Sequence, residues 1–197
     1  MNLFCLVNRN NPLSKDYKPS NIVEVPNTKI KVCKNVFDAF MKLNARLIKD
    51  NLSPLTLISG YRTYDYQERL FKKKVDYYKQ LGLNSAQSEI SAAKIVAVPG
   101  CSEHQLGLAI DVTSLELSKL DDPLISDFDR TREGEWLINN SYTEGFILRY
   151  PKNKKHLTQI EYEPWHYRYV GIEPATFMKD NNLCLEEYIM LIEGLQK

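Results

Sequence analysis

Only three histidines occur in the 197 residues. Two of them stand near carboxylates in apolar or aromatic company. The stretch "PGCSEHQLGLAIDVTS", residues 99–114, carries His104 and, seven positions on, Asp111 set among Leu108, Ala109, Ile110 and Val112. A carboxylate buried in such surroundings costs several kcal/mol unless a positive group compensates it. The stretch "EPWHYRYVG", residues 163–171, carries His166 three positions after Glu163. The third histidine, His156, lies in the lysine-rich "PKNKKHLTQI", where neighbouring cations disfavour binding another cation.

Two imidazoles and one carboxylate form a usual catalytic zinc set, with a fourth position left for water. A divalent ion held by His104, Asp111 and His166 would supply the charge that Asp111 lacks. It would also lower the pKa of a bound water towards about 7. Glu163 is then placed to act as general base, passing a proton to a leaving amine. A second candidate lies in "SGYRTYDYQERLF", residues 59–71. Arg62 falls at a strand-to-helix turn, where it could clamp a substrate carboxylate or stabilise an oxyanion. Gln67, one turn into the helix, could reach the same space.

Strand parity constrains this arrangement. Residues seven apart on one continuous strand point to opposite faces. His104 must therefore sit off the strand, in a segment ending at Gly107, with Asp111 on the strand itself. Likewise Glu163 and His166 cannot share a face of a regular strand. Pro164 permits a break that leaves Glu163 just ahead of the strand. The same residues also admit plainer roles. Asp111 could cap a turn or pair with an arginine, Glu163 could pair with Arg149 or Arg168, and Arg62 with Asp65.

The elements that must position these residues are legible from periodicity. Residues 34–50 place Val36, Phe37, Phe40, Met41, Leu47 and Ile48 at helical spacing, with Asn51 as a stop. "LTLISGYR" (55–62) reads as a strand ending in a glycine turn. Thr63 caps the helix that follows, with Asp65 in its first turn and a stripe of Leu70, Phe71, Val75 and Tyr78. Residues 84–94 form a smaller helix capped by Asn84. "LAIDV" is a strand, 131–144 a helix around Trp136, Leu137 and Ile138, and "GFILRYP" and "EPWHYRYVG" are strands. The first 30 residues read as an extended arm. Residues 185–197 read as a C-terminal helix with Leu185, Tyr188, Ile189 and Ile192 on one face. Helices precede, interrupt and follow the strands, which predicts an α+β fold, one compact domain over 1–197 with a central, mostly antiparallel sheet flanked by helices.

The composition fits such a domain: 43% hydrophobic, 26% charged, net charge +1. No basic run indicates a nucleic-acid or anionic-membrane partner, and no stretch is long and apolar enough to span a membrane. The cysteines Cys5, Cys33, Cys101 and Cys184 are scattered without a C-x-x-C pair and read as reduced thiols. The start, "MNLFCLVNRNNP", lacks the features of a signal peptide. With Met1 as the natural start the expected compartment is the cytoplasm; behind a trimmed leader it would be the cell envelope. No feature specifies an oligomeric state.

Four ordered motifs, "SGYRTYDYQ", "PGCSEHQLGLAIDV", "GFILRYP" and "EPWHYRYVG", together resemble the zinc D-alanyl-D-alanine peptidases of the VanY and VanXY type. The S-x-H-x-x-G-x-A-x-D pattern stands here as Ser102, His104, Gly107, Ala109 and Asp111, and E-x-W-H as Glu163, Trp165 and His166. "LVNRNNPL" and the late "LEEY" add to a likeness that covers most of the chain. The resemblance implies one Zn2+ held by His104, Asp111 and His166, Glu163 as catalytic base and Arg62 as transition-state stabiliser. It implies Gln67, Ser102, Ser59 and Trp165 as substrate contacts, and the compact zinc-peptidase core shared with the hedgehog signalling domain. The expected substrate is a small peptide, D-Ala-D-Ala or a peptidoglycan pentapeptide precursor, whose hydrolysis would contribute to vancomycin resistance. The VanXY class, which works in the cytoplasm, is the nearer likeness. An L,D-carboxypeptidase or other cell-wall peptidase of the same family, a non-catalytic binding module with structural zinc, and a metal-free protein are the rival readings.

Overall fold

The computed structural model describes residues 2–195. A hairpin of β1 (Ile22–Glu24) and β2 (Lys31–Cys33) leads into α1 (Lys34–Lys49). Then come β3 (Thr56–Ser59), α2 (Tyr64–Gln80) and α3 (Ser85–Ala92). A 3₁₀ turn, Glu103–Leu106, precedes β4 (Ala109–Thr113); α4 (Arg132–Asn140) leads to β5 (Phe146–Leu148). The chain closes with α5 (Lys155–Thr158), β6 (His166–Tyr169), α6 (Ile172–Asp180) and α7 (Leu185–Gly194). Residues 196 and 197 of the predicted C-terminal helix lie outside the described residues.

β3, β4, β6 and β5 form, in that order, one sheet in which every pair is antiparallel. The fold is thus the α+β arrangement expected. Alternation along β4 sends Ile110 and Val112 to a core shared with α1, and Asp111 to the opposite face. On β6, Tyr167 joins that core, while His166 and Arg168 take the Asp111 face.

α1 forms because apolar residues recur at helical spacing, and it buries Val36, Ala39, Phe40, Leu43 and Leu47. Burying each of the large ones stabilises the fold by about 1.5–3 kcal/mol. Met41 and Ile48, expected on this stripe, are instead exposed. The helix is covered on one side only, and 100° per residue carries those two past its edge. Asn51 follows the helix at a φ of +59°, the left-handed geometry that asparagine tolerates in stopping a helix.

α2 begins at Thr63, whose Oγ1 accepts from the Tyr66 N–H at 3.1 Å. Of its predicted stripe only Val75 is fully buried, because α2 borders an open cleft. α3 carries the Asn84 cap as a reciprocal box with Gln87. The helix predicted over 131–144 ends at Asn140 and tightens to a 3₁₀ turn over Ser141–Glu144, before Gly145 at a φ of +83°. No disulfide joins the four cysteines among the described residues.

Candidate active site

The β4–β6 register sets Asp111 directly opposite His166, and the β3–β4 register sets Ser59 opposite Asp111. Three strands thus bring a row of polar side chains to the face away from the core. His104 arrives from the 3₁₀ turn, which ends at Gly107 with a φ of +71°. That left-handed bend suits glycine, and a Cβ there would press to 2.8 Å from the Cys33 Sγ. The turn therefore lifts His104 off the strand, as parity requires. Glu163 stands before β6, its chain turning through an N–H of His166 that donates to the Glu163 carbonyl at 3.2 Å.

His104, Asp111 and His166 are all buried, and one ligand atom of each lies within 4.8 Å of the others. His104 Nδ1 donates to the Gly60 carbonyl at 2.7 Å, which leaves Nε2 as the bare nitrogen of a neutral ring. Burial, helped by nearby Arg62, holds His104 down to about 4, so the ring is neutral at pH 7. Its Nε2 faces Asp111 Oδ2 at 3.1 Å. Burial opposes ionisation of Asp111, but the charged His166 and Arg62 beside it outweigh that and hold the carboxyl well below its usual range. Asp111 Oδ1 lies 3.0 Å from His166 Nδ1, yet out of line for a hydrogen bond, and has no hydrogen-bond partner among the described residues. Ring nitrogens of two histidines and a carboxylate oxygen therefore converge on a common space. Burial works against charge on His166, but Asp111, Glu103 and Glu163 hold its ring up to about 9, so it gives up a proton when it ligates. That donor set fits a small divalent cation such as zinc, which takes nitrogen and carboxylate oxygen together.

Glu163 Oε2 is 3.6 Å from His166 Nδ1, at the edge of the same space. Burial lifts its carboxyl to about 7, partly offset by His166 and raised further by Asp111. Arg149 and Arg168, its alternative partners, are engaged elsewhere. Arg62 does not pair with Asp65, which Lys15 meets at 3.0 Å. Its Nη2 donates to Asp111 Oδ2 at 2.6 Å and its Nε to Ser59 Oγ at 2.8 Å.

These groups floor a cleft of about 610 Å³. Arg62, Gln67, Ser102, Trp165 and Glu163 all line it. Ser59 stands behind Arg62 rather than on the wall. Gln67 is buried with its Nε2 donating to the Ala97 carbonyl at 2.8 Å, while its Oε1 has no partner among the described residues. His156 is exposed on α5, apart from the cleft. Sequence reasoning missed Glu103, Tyr150 and the outer wall of Lys73, Lys74, Tyr77 and Lys94. The signal for Glu103 was a second carboxylate in the 99–114 stretch that holds His104 and Asp111, next in sequence to a candidate ligand; the helix positions carried none.

The sequence model of the VanY family, D-alanyl-D-alanine carboxypeptidase, matches residues 29–172. The chain is 40% identical over 186 residues to a D-alanyl-D-alanine carboxypeptidase of Enterococcus faecalis, covering 93% of this chain and 64% of that protein. It is 36% identical over 190 residues to the bifunctional D-Ala-D-Ala dipeptidase and carboxypeptidase VanXYC of Enterococcus gallinarum, covering 95% and 94%. Among solved structures, a zinc complex of a variant of the vancomycin-resistance D,D-pentapeptidase VanY superposes with a TM-score of 0.82 at 38% identity, over 96% of this chain and 99% of that one. The LD-carboxypeptidase LdcB superposes with a TM-score of 0.81 at 39% identity, over 94% and 84%. No described helix is long and apolar enough to cross a membrane. On the family match over most of its length, and on relatives of this identity and coverage, the chain belongs to the VanY family of D-alanyl-D-alanine carboxypeptidases.

Proposed function

We propose that the 197 residues act as one zinc peptidase domain that removes the C-terminal D-alanine from D-Ala-D-Ala-ending peptides. The observation that carries this is the convergence of His104, Asp111 and His166 within 4.8 Å, with Glu163 3.6 Å from His166, on the floor of a cleft. His104 through Nε2, Asp111 and His166 through Nδ1 would hold the ion. Zinc bound there supplies Lewis acidity to the scissile carbonyl and makes water acidic enough to ionise near neutrality.

The chain's own groups do the rest. Glu163 takes the proton of the attacking water on its carboxylate and returns it to the departing D-alanine nitrogen. Burial raises its carboxyl in the metal-free chain and a bound cation would lower it again, which keeps it ionised and ready to accept the proton near neutrality. Ser59 and Asp111 fix the Arg62 guanidinium, whose remaining N–H donors meet the developing oxyanion. Ser102, Trp165 and the unpartnered Gln67 Oε1 line the space for the peptide.

A cleft of about 610 Å³ falls in the range of sites that take drug-sized ligands. That leaves room for the free dipeptide and for the C-terminal end of a pentapeptide precursor alike. Loss of terminal D-Ala-D-Ala would deplete the target of vancomycin. A cytoplasmic site of action goes with the VanXY-type reading and is tested by cell fractionation. A second reading, L,D-carboxypeptidase, is supported by the likeness to LdcB. One experiment separates them: D-alanine release from D-Ala-D-Ala, pentapeptide and tetrapeptide, side by side on zinc-loaded protein. Pentapeptide turnover is expected. Turnover of tetrapeptide alone would replace the first reading with the second.

A further inference from the structure

Behind the candidate metal centre lies a buried charged foursome that the mechanism does not use. Glu103, fully buried, receives the Arg149 Nε on its Oε1 at 2.8 Å, and the Arg168 Nη1 stands 2.9 Å from the same oxygen. Arg149 grips Glu186 on α7 through two bonds of 2.9 and 2.7 Å. The Arg168 Nη2 donates to the carbonyls of Leu3 and Cys5 in the N-terminal arm. Two carboxylates thus balance two guanidiniums, as buried charges require.

The other oxygen of Glu103 has a different outlook. Oε2 is buried with no hydrogen-bond partner, and so is His166 Nε2. The two orphans face each other at 3.8 Å. His166 turns its Nδ1 to the site, 3.0 Å from Asp111 and 3.6 Å from Glu163. A ring that ligates through Nδ1 must carry its proton on Nε2, and a buried N–H needs an acceptor. Of the three carboxylates near His166, Glu103 is the one whose nearest approach is to Nε2; Asp111 and Glu163 come nearest at Nδ1. A hydrogen bond requires the gap to close by roughly 0.6–1 Å. If Glu103 served only to neutralise arginines, both its oxygens would face them.

We propose that Glu103 is a positioning residue for the metal centre, accepting the Nε2 proton of His166 and so fixing the tautomer and angle of that ligand. Arg149 and Arg168 hold Glu103 in place, which ties α7 and the N-terminal arm to His166. The inference rests on the zinc reading above. Carboxylate partners of ligating histidines raise ligand basicity, and their loss typically costs about 10–100-fold in metal affinity.

Two measurements test it. In zinc-loaded wild type with 15N-labelled histidine, NMR should show the His166 Nε2 proton as a downfield, slowly exchanging signal, with Nδ1 at the metal. Chelator competition should show zinc binding weakened about 10–100-fold in Glu103→Gln. Glu186→Gln, which acts only through Arg149, should show a smaller loss. Nε2 bound to zinc in the wild type, or its proton exchanging as in free imidazole, would overturn the proposal even if Glu103→Gln fails to fold. So would zinc affinity within twofold of wild type in a folded Glu103→Gln. Wild type that binds no zinc would instead remove the underlying metal reading, and this inference with it.

Discussion

Asp111 and His166 face each other across the β4–β6 pair, with Oδ1 and Nδ1 3.0 Å apart and not hydrogen-bonded. The register of two strands is therefore part of the site. A slip of one residue would send either side chain to the core face. Tyr167 and Val112, anchored in that core, hold the register. Metal affinity is in this sense supplied by the packing on the other side of the sheet.

Asp111→Asn keeps the shape of the side chain and removes its charge. The strands should still pair, since the apolar residues on the core face are untouched. Zinc content after dialysis is expected to fall to a small fraction of one per chain, with an unchanged far-ultraviolet circular dichroism spectrum. Full zinc retention would show that the carboxylate does not hold the ion.

Glu163→Gln should lower kcat by roughly 10²–10⁴, the range for a lost general base, with zinc content intact. The wild-type pH profile carries the same information. In the metal-free chain burial holds Glu163 up at about 7, above the ordinary carboxylate value. A raised carboxyl favours the protonated form, so its contribution to stability is present at low pH and lost as pH rises through about 7. A base must be ionised to work, and a bound cation lowers its pKa. The acid limb of kcat/KM is therefore expected at or below pH 7 and absent in the variant. An acid limb well above 7 would assign the base to another group.

Much of the site was legible because its residues sit in short segments with strong local rules. Parity alone placed His104 off the strand and Glu163 ahead of β6. Thr63 and Asn84 announced their helices by cap chemistry. What could not be read was partnership across the fold. Arg62 reaches Asp111, 49 positions on, rather than Asp65. Arg149 and Arg168 looked like partners for Glu163, but Glu103 and Glu186 claim them. Side-chain pairing of this kind depends on strand order, which periodicity does not encode. Met41 and Ile48 show the same limit: spacing gives a helix, and only its neighbours decide how wide a stripe is covered.

Arg62→Lys separates charge from geometry. Lysine keeps the positive charge but lacks the planar fork that binds Ser59 and Asp111 at once. The expected result is a fall in kcat of about 10²–10³ with KM changed little, the signature of a donor used in the transition state. A rise in KM alone would make Arg62 a clamp for the substrate carboxylate instead.

Gly60→Ala tests how the scaffold sets His104. Gly60 lies against β2, where a Cβ would collide with the Lys31 carbonyl and come within 2.6 Å of the Val32 Cγ1. Its own carbonyl receives the His104 Nδ1 proton, and its neighbour Tyr61 donates an N–H to that same Lys31 carbonyl at 2.6 Å. The added methyl must push the 60–62 turn away from β2, at a cost of about 1–3 kcal/mol. The acceptor that fixes the His104 tautomer moves with the turn. Two effects should therefore appear together: a lower melting temperature of the metal-free protein, and zinc binding weakened about 10–100-fold, as for other lost partners of ligating histidines. A stability loss with zinc affinity unchanged would show that His104 holds its orientation without Gly60.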